Sequence, residues 1–352
     1  MQLPRRSLAA AVAAAALLGA CSEVVRTPVA PPDAAAPALA IYGIGDLRRA
    51  FPGEPCAAAK HREFDFWLGS WNVVGPLGRT LGTNVVRSEL DGCVVSESWT
   101  DTNGNRGRSI NAYDGDTGLW HQTWVAAGGG HLRLAGSFTG ARMEMEGRRV
   151  LASNGSVIRD FWSWTPQGAD TMVQRGSLTL DDVPQGSFTG IYLRAPSVAP
   201  APERINPVCT TVPPSARQLD FWVGSWAVEG ENGLPLGTST VALDLSGCLV
   251  EERFATPHGY RSVSFAYRDF FTGKWYRTLI DGEGERVELE GGPVPGGAIV
   301  MTGTEKEPGI GEFGVRVTLA PDGPDRVRQT WETSRNGGAT WTVDLVTLYV
   351  RR

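Results

Sequence analysis

Glu97 and Glu252 are the carboxylates whose placement in the sequence suggests chemistry. Each lies in a short run in which every second residue is apolar: Val95, Glu97 and Trp99 in one, Val250, Glu252 and Phe254 in the other. Strand periodicity puts such residues on one face, so each carboxylate points inward between apolar neighbours. Burial raises a carboxyl's proton affinity unless a cation such as Arg offsets the desolvation. Later in the chain Gln174 and Gln329, Tyr192 and Tyr349, and Arg194 and Arg351 recur at matching inward places. Two readings compete. In one, Glu, Gln and Arg satisfy each other and fix the register of a packed interior. In the other, Glu97, Trp99, Gln174 and Tyr192, with Glu252, Phe254, Gln329 and Tyr349, are the few convergent groups of a largely apolar ligand pocket. General acid–base catalysis would use the same inward Glu.

These groups come in pairs because one module is used twice. Asp65-Phe66-Trp67-Leu68-Gly69-Ser70-Trp71 returns as Asp220-Phe221-Trp222-Val223-Gly224-Ser225-Trp226. Gly92-Cys93 returns as Gly247-Cys248, and Thr117-Gly118-x-Trp120 as Thr272-Gly273-x-Trp275. The first module, 56–194, reads as about ten short strands with turn signals between them, such as Asp91-Gly92 and Asn154-Gly155. A Pro-rich linker, 195–208, leads to the second module, 209–352. Ala57 to Phe64 reads as a short helix, and Asp281-Gly282-Glu283-Gly284-Glu285 as a solvated turn rather than a calcium loop. Sequential strands without long connections predict an all-β protein: two tandem up-and-down antiparallel barrels of about ten strands each, closed so that no edge is left unpaired.

Composition supports this class. Among 352 residues there are 44 Gly, 23 Pro and 12 Trp, as turn-rich strands around an aromatic core require. A net charge of −5 without a basic block excludes nucleic acid as the expected partner. Arg5 and Arg6 precede a short apolar run, Ser7 to Leu18, which is too short for a membrane span. Residues 1–21 therefore read as an export signal and 22–55 as a Pro/Ala-rich tether. Leu18-Gly19-Ala20-Cys21 resembles the lipobox of bacterial lipoproteins, which implies lipidation at Cys21 and, with Ser22 following, an outer-membrane address facing the periplasm. Four other cysteines remain. Three pairings exist on paper; duplication favours Cys56 with Cys93 and Cys209 with Cys248. No Cys-x-x-Cys or His pair accompanies them, so no metal site is expected.

Gly69-Ser70-Trp71 and Gly224-Ser225-Trp226 resemble the Gly-x-Trp that opens lipocalin-type (calycin-like) barrels. That resemblance implies stacking of Trp71 on Arg194 and of Trp226 on Arg351 at the closed ends. The Asp-Phe-Trp-x-Gly-x-Trp start, the Thr-Gly-x-Trp turn and the Trp331 to Trp341 close resemble a nitrobindin-related bacterial family of unknown function. Nitrobindin-like barrels hold haem through a His near their last strands. Here His61, His121, His131 and His258 all lie elsewhere, so no haem or other cofactor is expected. The resulting expectation is a membrane-anchored periplasmic lipoprotein that binds a small apolar or amphipathic ligand inside one or both barrels. Its rivals are a non-catalytic scaffold contacting an envelope protein, and a calycin-type enzyme using an interior Glu. The oligomeric state stays open. Trp124 against Leu279, His121 against Tyr276 and Trp99 against Phe254 show that the two interiors are not equivalent.

The lipobox reading is testable directly: Cys21→Ser should move the chain from the membrane to the soluble periplasmic fraction. Unchanged membrane association of that variant would refute lipidation at Cys21.

Overall fold

The computed structural model describes residues 56–151, 153–211, 214–307 and 311–352. The signal 1–21, with Cys21, and the tether 22–55 lie outside the described residues. The chain forms two closed ten-stranded antiparallel barrels in tandem. The first comprises β1 (Gly69–Val74), β2 (Thr80–Glu89), β3 (Val94–Asp101), β4 (Arg106–Asp114), β5 (Leu119–Ala126), β6 (His131–Phe138), β7 (Met143–Val150), β8 (Val157–Pro166), β9 (Thr171–Leu180) and β10 (Val183–Ala195). The second comprises β11 (Gly224–Gly230), β12 (Pro235–Asp244), β13 (Leu249–Ala255), β14 (Arg261–Arg268), β15 (Trp275–Asp281), β16 (Arg286–Pro293), β17 (Ile299–Glu307), β18 (Gly311–Pro321), β19 (Arg326–Ser334) and β20 (Thr342–Arg351). Each strand pairs with its neighbours in sequence, and β1–β10 and β11–β20 pairing closes the rings.

A short 3-10 turn, Asp65–Trp67 or Asp220–Trp222, enters each barrel and buries its Trp. The expected helix before β1 is a 3-10 turn at Ala59–Arg62, one turn being all that fits between the disulfide and the barrel entrance. The Trp71 and Trp226 indoles donate to the Trp67 and Trp222 carbonyls at 2.9 Å. The Arg194 guanidinium lies 4.2 Å from the Trp71 ring centre, and that of Arg351 4.4 Å from Trp226. Both arginines also bond to the carbonyl of the residue before β1 or β11, Leu68 or Val223. A Cβ on Gly69 or Gly224 would meet that guanidinium at 2.3 or 2.5 Å, and both glycines have positive φ, so the Arg–Trp lock requires glycine there.

The barrels pack side by side. Ile110, Ala112 and Val125 of the first and Val263, Phe265, Tyr267 and Ile280 of the second form one apolar cluster with all four paired cysteines. The disulfides are Cys56–Cys93 and Cys209–Cys248. Cys93 Sγ touches the Gly282 carbonyl across the interface, and Cys248 Sγ touches that of Ala127. The contact is isologous: Thr123 meets its own copy, Thr278, through a 2.8 Å hydroxyl–hydroxyl bond. Charges follow the same pseudo-twofold. Glu89 and Asp244 end β2 and β12, and they hold Arg253 and Arg108 of the opposite barrel at 2.6 Å. Asp114 reaches Arg286 at 3.1 Å, while Asp269 stands 4.0 Å from His131, the residue that begins β6 as Arg286 begins β16. The linker is not a free spacer. Its Glu203 pairs with Arg106 at 2.9 Å and its Arg204 amide donates to the Gly104 carbonyl.

Each disulfide closes a loop with a sequence separation of 37 or 39 residues, which by chain entropy is worth about 3–4 kcal/mol. The double variant Cys56→Ser/Cys93→Ser should lower the denaturation midpoint accordingly. A midpoint unchanged in non-reducing buffer would show that the first bridge contributes nothing.

Candidate functional site: the polar interiors of the two barrels

β3 and β13 carry the inward glutamates to the centre of their barrels, where Glu97 is 5% and Glu252 2% exposed. In the first barrel Glu97 accepts from Asn84 Nδ2 at 2.7 Å and Ser109 Oγ at 2.9 Å. Asn111 donates to Ser109 and to the Val95 carbonyl, and Gln122 donates to Asn111. The Tyr192 hydroxyl donates to Gln174. No cation joins this cluster among the described contacts. Burial therefore pushes the Glu97 carboxyl up to about 7, with the Asn84 and Ser109 bonds only partly offsetting it. Burial, and then the Glu97 charge, raise Tyr192 well above the ordinary phenol value.

The second barrel solves the same problem with an ion pair. Glu252 Oε2 lies 2.5 Å from Arg277 Nη2 and accepts from Ser264 at 3.4 Å; Oε1 accepts from Ser239 at 2.9 Å and Tyr349 at 2.8 Å. Arg277, 1% exposed, also donates to Ser264 through Nε and to Gln329 through Nη1, and its guanidinium lies 4.8 Å from the centre of the Trp222 ring. The arginine that the sequence offered for this task was the one on the last strand. Arg194 and Arg351 instead sit at the barrel ends, clamped to Trp71 and Trp226, and are too far along their strands to reach Glu97 or Glu252. The cation that reaches Glu252 is Arg277, on β15. Its signal was available in the copies: Trp275, Arg277 and Leu279 alternate inward as Trp120, Gln122 and Trp124 do, so an Arg replaces a Gln on an interior face.

The mouths also differ. In the first barrel Trp124 lies over Gly107 and Trp162 over Gly176, where added Cβ atoms would meet the rings at 2.7 and 2.6 Å; Trp162 and Phe188 pack at 5.8 Å. Trp99 lies over Gly82 beside them. Strand pairing places Leu279 where Trp124 stands, Val317 where Trp162 stands and Leu345 where Phe188 stands. The same pairing puts Trp331 where Gly176 stands, and a cavity of about 50 Å³ lies beside Leu279, Leu345 and Trp331. Its lining includes Phe254, Tyr260, Leu279, Trp331 and Leu345 on the walls and Glu252, Arg277, Gln329, Thr347 and Tyr349 below them. Thr347 is 5% exposed, and its hydroxyl has no hydrogen-bond partner. Of the eight residues read as a pocket from sequence, Glu252, Phe254, Gln329 and Tyr349 thus converge on one cavity, whereas Glu97, Gln174 and Tyr192 are buried in the first barrel's hydrogen-bonded interior and Trp99 is half-buried at its rim.

Both oxygens of Glu252 are engaged by four donors, which leaves neither aimed at a substrate proton. His121 and His131 face Arg286, Asp114 and Asp269 at the barrel–barrel contact, and burial holds both imidazoles below their ordinary value. His61 packs on Tyr113 at 5.2 Å. A cavity of about 50 Å³ and histidines so placed do not fit haem. Asp281, expected in a solvated turn, is buried at 1% exposure. It accepts from the Glu283 and Glu285 amides, because its turn folds against the barrel contact.

No known family model matches the sequence, and no curated protein does. Among solved structures, the chain is similar to a protein of unknown function from the DUF3598 family of Nostoc punctiforme. The match has 10% identity over 83% of this chain and 98% of that one, with a TM-score of 0.22.

Because the folded carboxyl of Glu97 titrates near 7 rather than 4.5, its protonated form stabilises the fold below 4.5, and that contribution is lost as pH rises through about 7. Asp281, also raised to about 7 by burial, adds a loss of the same sign. Glu97→Gln should flatten the fall in stability between pH 5 and pH 8 by about 2–3 kcal/mol. An unchanged slope in denaturant melts across that range would show that Glu97 is not desolvated in the native state.

Proposed function

We propose that this chain is an exported, lipid-anchored binding protein of the bacterial envelope in which the second barrel takes the ligand and the first supports it. The two disulfides point to an oxidising, non-cytoplasmic compartment, and no helix among the described residues is long and apolar enough to cross a membrane. The lipobox at Cys21 supplies the anchor in this reading and places the barrels at the periplasmic face of the outer membrane. The observation that carries the binding role is the cavity itself: mostly apolar walls around a few convergent polar groups, one of them a buried hydroxyl without a partner. The first barrel carries Trp99, Trp124, Trp162 and Phe188 at its mouth and holds the second barrel through the apolar contact between them.

Plugging the cavity tests the reading. Leu279→Trp with Ser262→Gly transplants the first barrel's Trp124-over-Gly107 plug. Native mass spectrometry of the chain purified from its own envelope should show a small molecule on the wild type and none on the plugged variant. A wild type without any bound molecule, or one retained after plugging, would overturn the assignment of the second barrel.

A further inference from the structure

The chemistry of the cavity floor narrows the ligand. Glu252 and Arg277 are buried to 2% and 1% exposure and neutralise each other at 2.5 Å. A second buried charge beside that pair has no counter-ion within the cavity lining, so a ligand carboxylate or ammonium would meet the full desolvation cost. The hydrogen-bond balance adds a direction. All acceptor positions of the Glu252 carboxylate are spent, the Tyr349 proton is committed to it, and the Gln329 carbonyl already takes Arg277. Two of the five guanidinium N–H donors of Arg277 remain uncommitted, and the Thr347 hydroxyl, which can both donate and accept, has no partner. The floor therefore asks for an acceptor. The walls, Val228, Phe254, Leu279, Trp331 and Leu345 beside Tyr260 and Ser262, are mostly apolar. A volume of about 50 Å³ corresponds to about three to five water positions, so only a few non-hydrogen atoms fit beneath the rim.

We infer that the second barrel selects an uncharged molecule with a carbonyl or hydroxyl oxygen on a short apolar chain, such as a ketone, an ester or an alcohol, with the oxygen at Arg277 and Thr347 and the chain pointing towards Phe254 and Leu345. This inference rests on the binding reading above and names the ligand class for the same site. It also accounts for the difference between the copies. Where Gln122 stands in place of Arg277, the first barrel has no such donor, and its tryptophans occupy the space the chain would need.

The test uses the full chain purified from solubilised membranes and three matched probes: 2-pentanone, pentanoate and pentylammonium. Ligand-observed saturation-transfer NMR should show 2-pentanone bound to the wild type at least tenfold more tightly than either ion. Thr347→Val, which keeps the shape and removes the hydroxyl, should weaken 2-pentanone about fivefold. The Leu279→Trp/Ser262→Gly variant should abolish its binding, with melting temperature and far-ultraviolet circular dichroism confirming that each variant folds. Pentanoate or pentylammonium bound as tightly as 2-pentanone would overturn the neutral-ligand inference while leaving the binding role intact. Absence of 2-pentanone binding, or equal binding to the plugged variant, would overturn the inference as well. The binding role itself fails separately, if no co-purifying molecule is lost on plugging.

Discussion

The architecture depends on ring closure, the pairing of β1 with β10 and of β11 with β20. A ten-strand sheet with open edges would leave two rows of backbone donors and acceptors unpaired; closure pairs them and fixes which side chains face inward. The closure is pinned at one end by the Arg194–Trp71 and Arg351–Trp226 stacks, where the arginine also bonds to a carbonyl at the start of the first strand. Each stack ties the last strand to the first by side chain as well as by backbone. Once closed, each interior has a set volume, and whatever polar group points into it must be satisfied there.

The two barrels satisfy that demand differently. Glu97 is held by neutral donors and keeps a high proton affinity, whereas Glu252 is matched by Arg277. A buried ion pair is not a stability gain in itself, because desolvating two charges costs about as much as their attraction returns. Its effect here is geometric. The pair needs Ser264, Gln329, Tyr349 and Ser239 around it, which orders the floor of the cavity. With Leu279 and Leu345 in place of Trp124 and Phe188, and Trp331 on the wall, space is left over an ordered polar surface.

Duplication explains why divergence was tolerated. The outer faces of β4, β5, β14 and β15 meet in an isologous contact, where Thr123 touches Thr278 and each disulfide touches the opposite barrel. That surface binds the pair into one unit, so the two interiors can differ while the barrels stay together. Its apolar centre, with Phe265 and Tyr267 facing Ile110 and Ala112, also shields the disulfides from solvent.

Much of this was legible in the chain. The repeated Asp-Phe-Trp start, the matched cysteines and period-two alternation are local signals, and they determined the strand number, the two-module plan, the disulfide pairing and the inward direction of Glu97 and Glu252. Local periodicity carries direction but not distance. It could not say that Arg351 stays at the barrel end while Arg277, on another strand, reaches Glu252, because which strands face each other across the interior depends on ring closure and shear. Nor could it say which barrel is filled. The exchange of Trp124 for Leu279 was visible, but whether it opens space depends on what Val317, Trp331 and Leu345 do from three other strands. The barrel–barrel contact was hidden for the same reason: an outward apolar face on β4 or β14 looks like any half-buried strand until a second copy covers it.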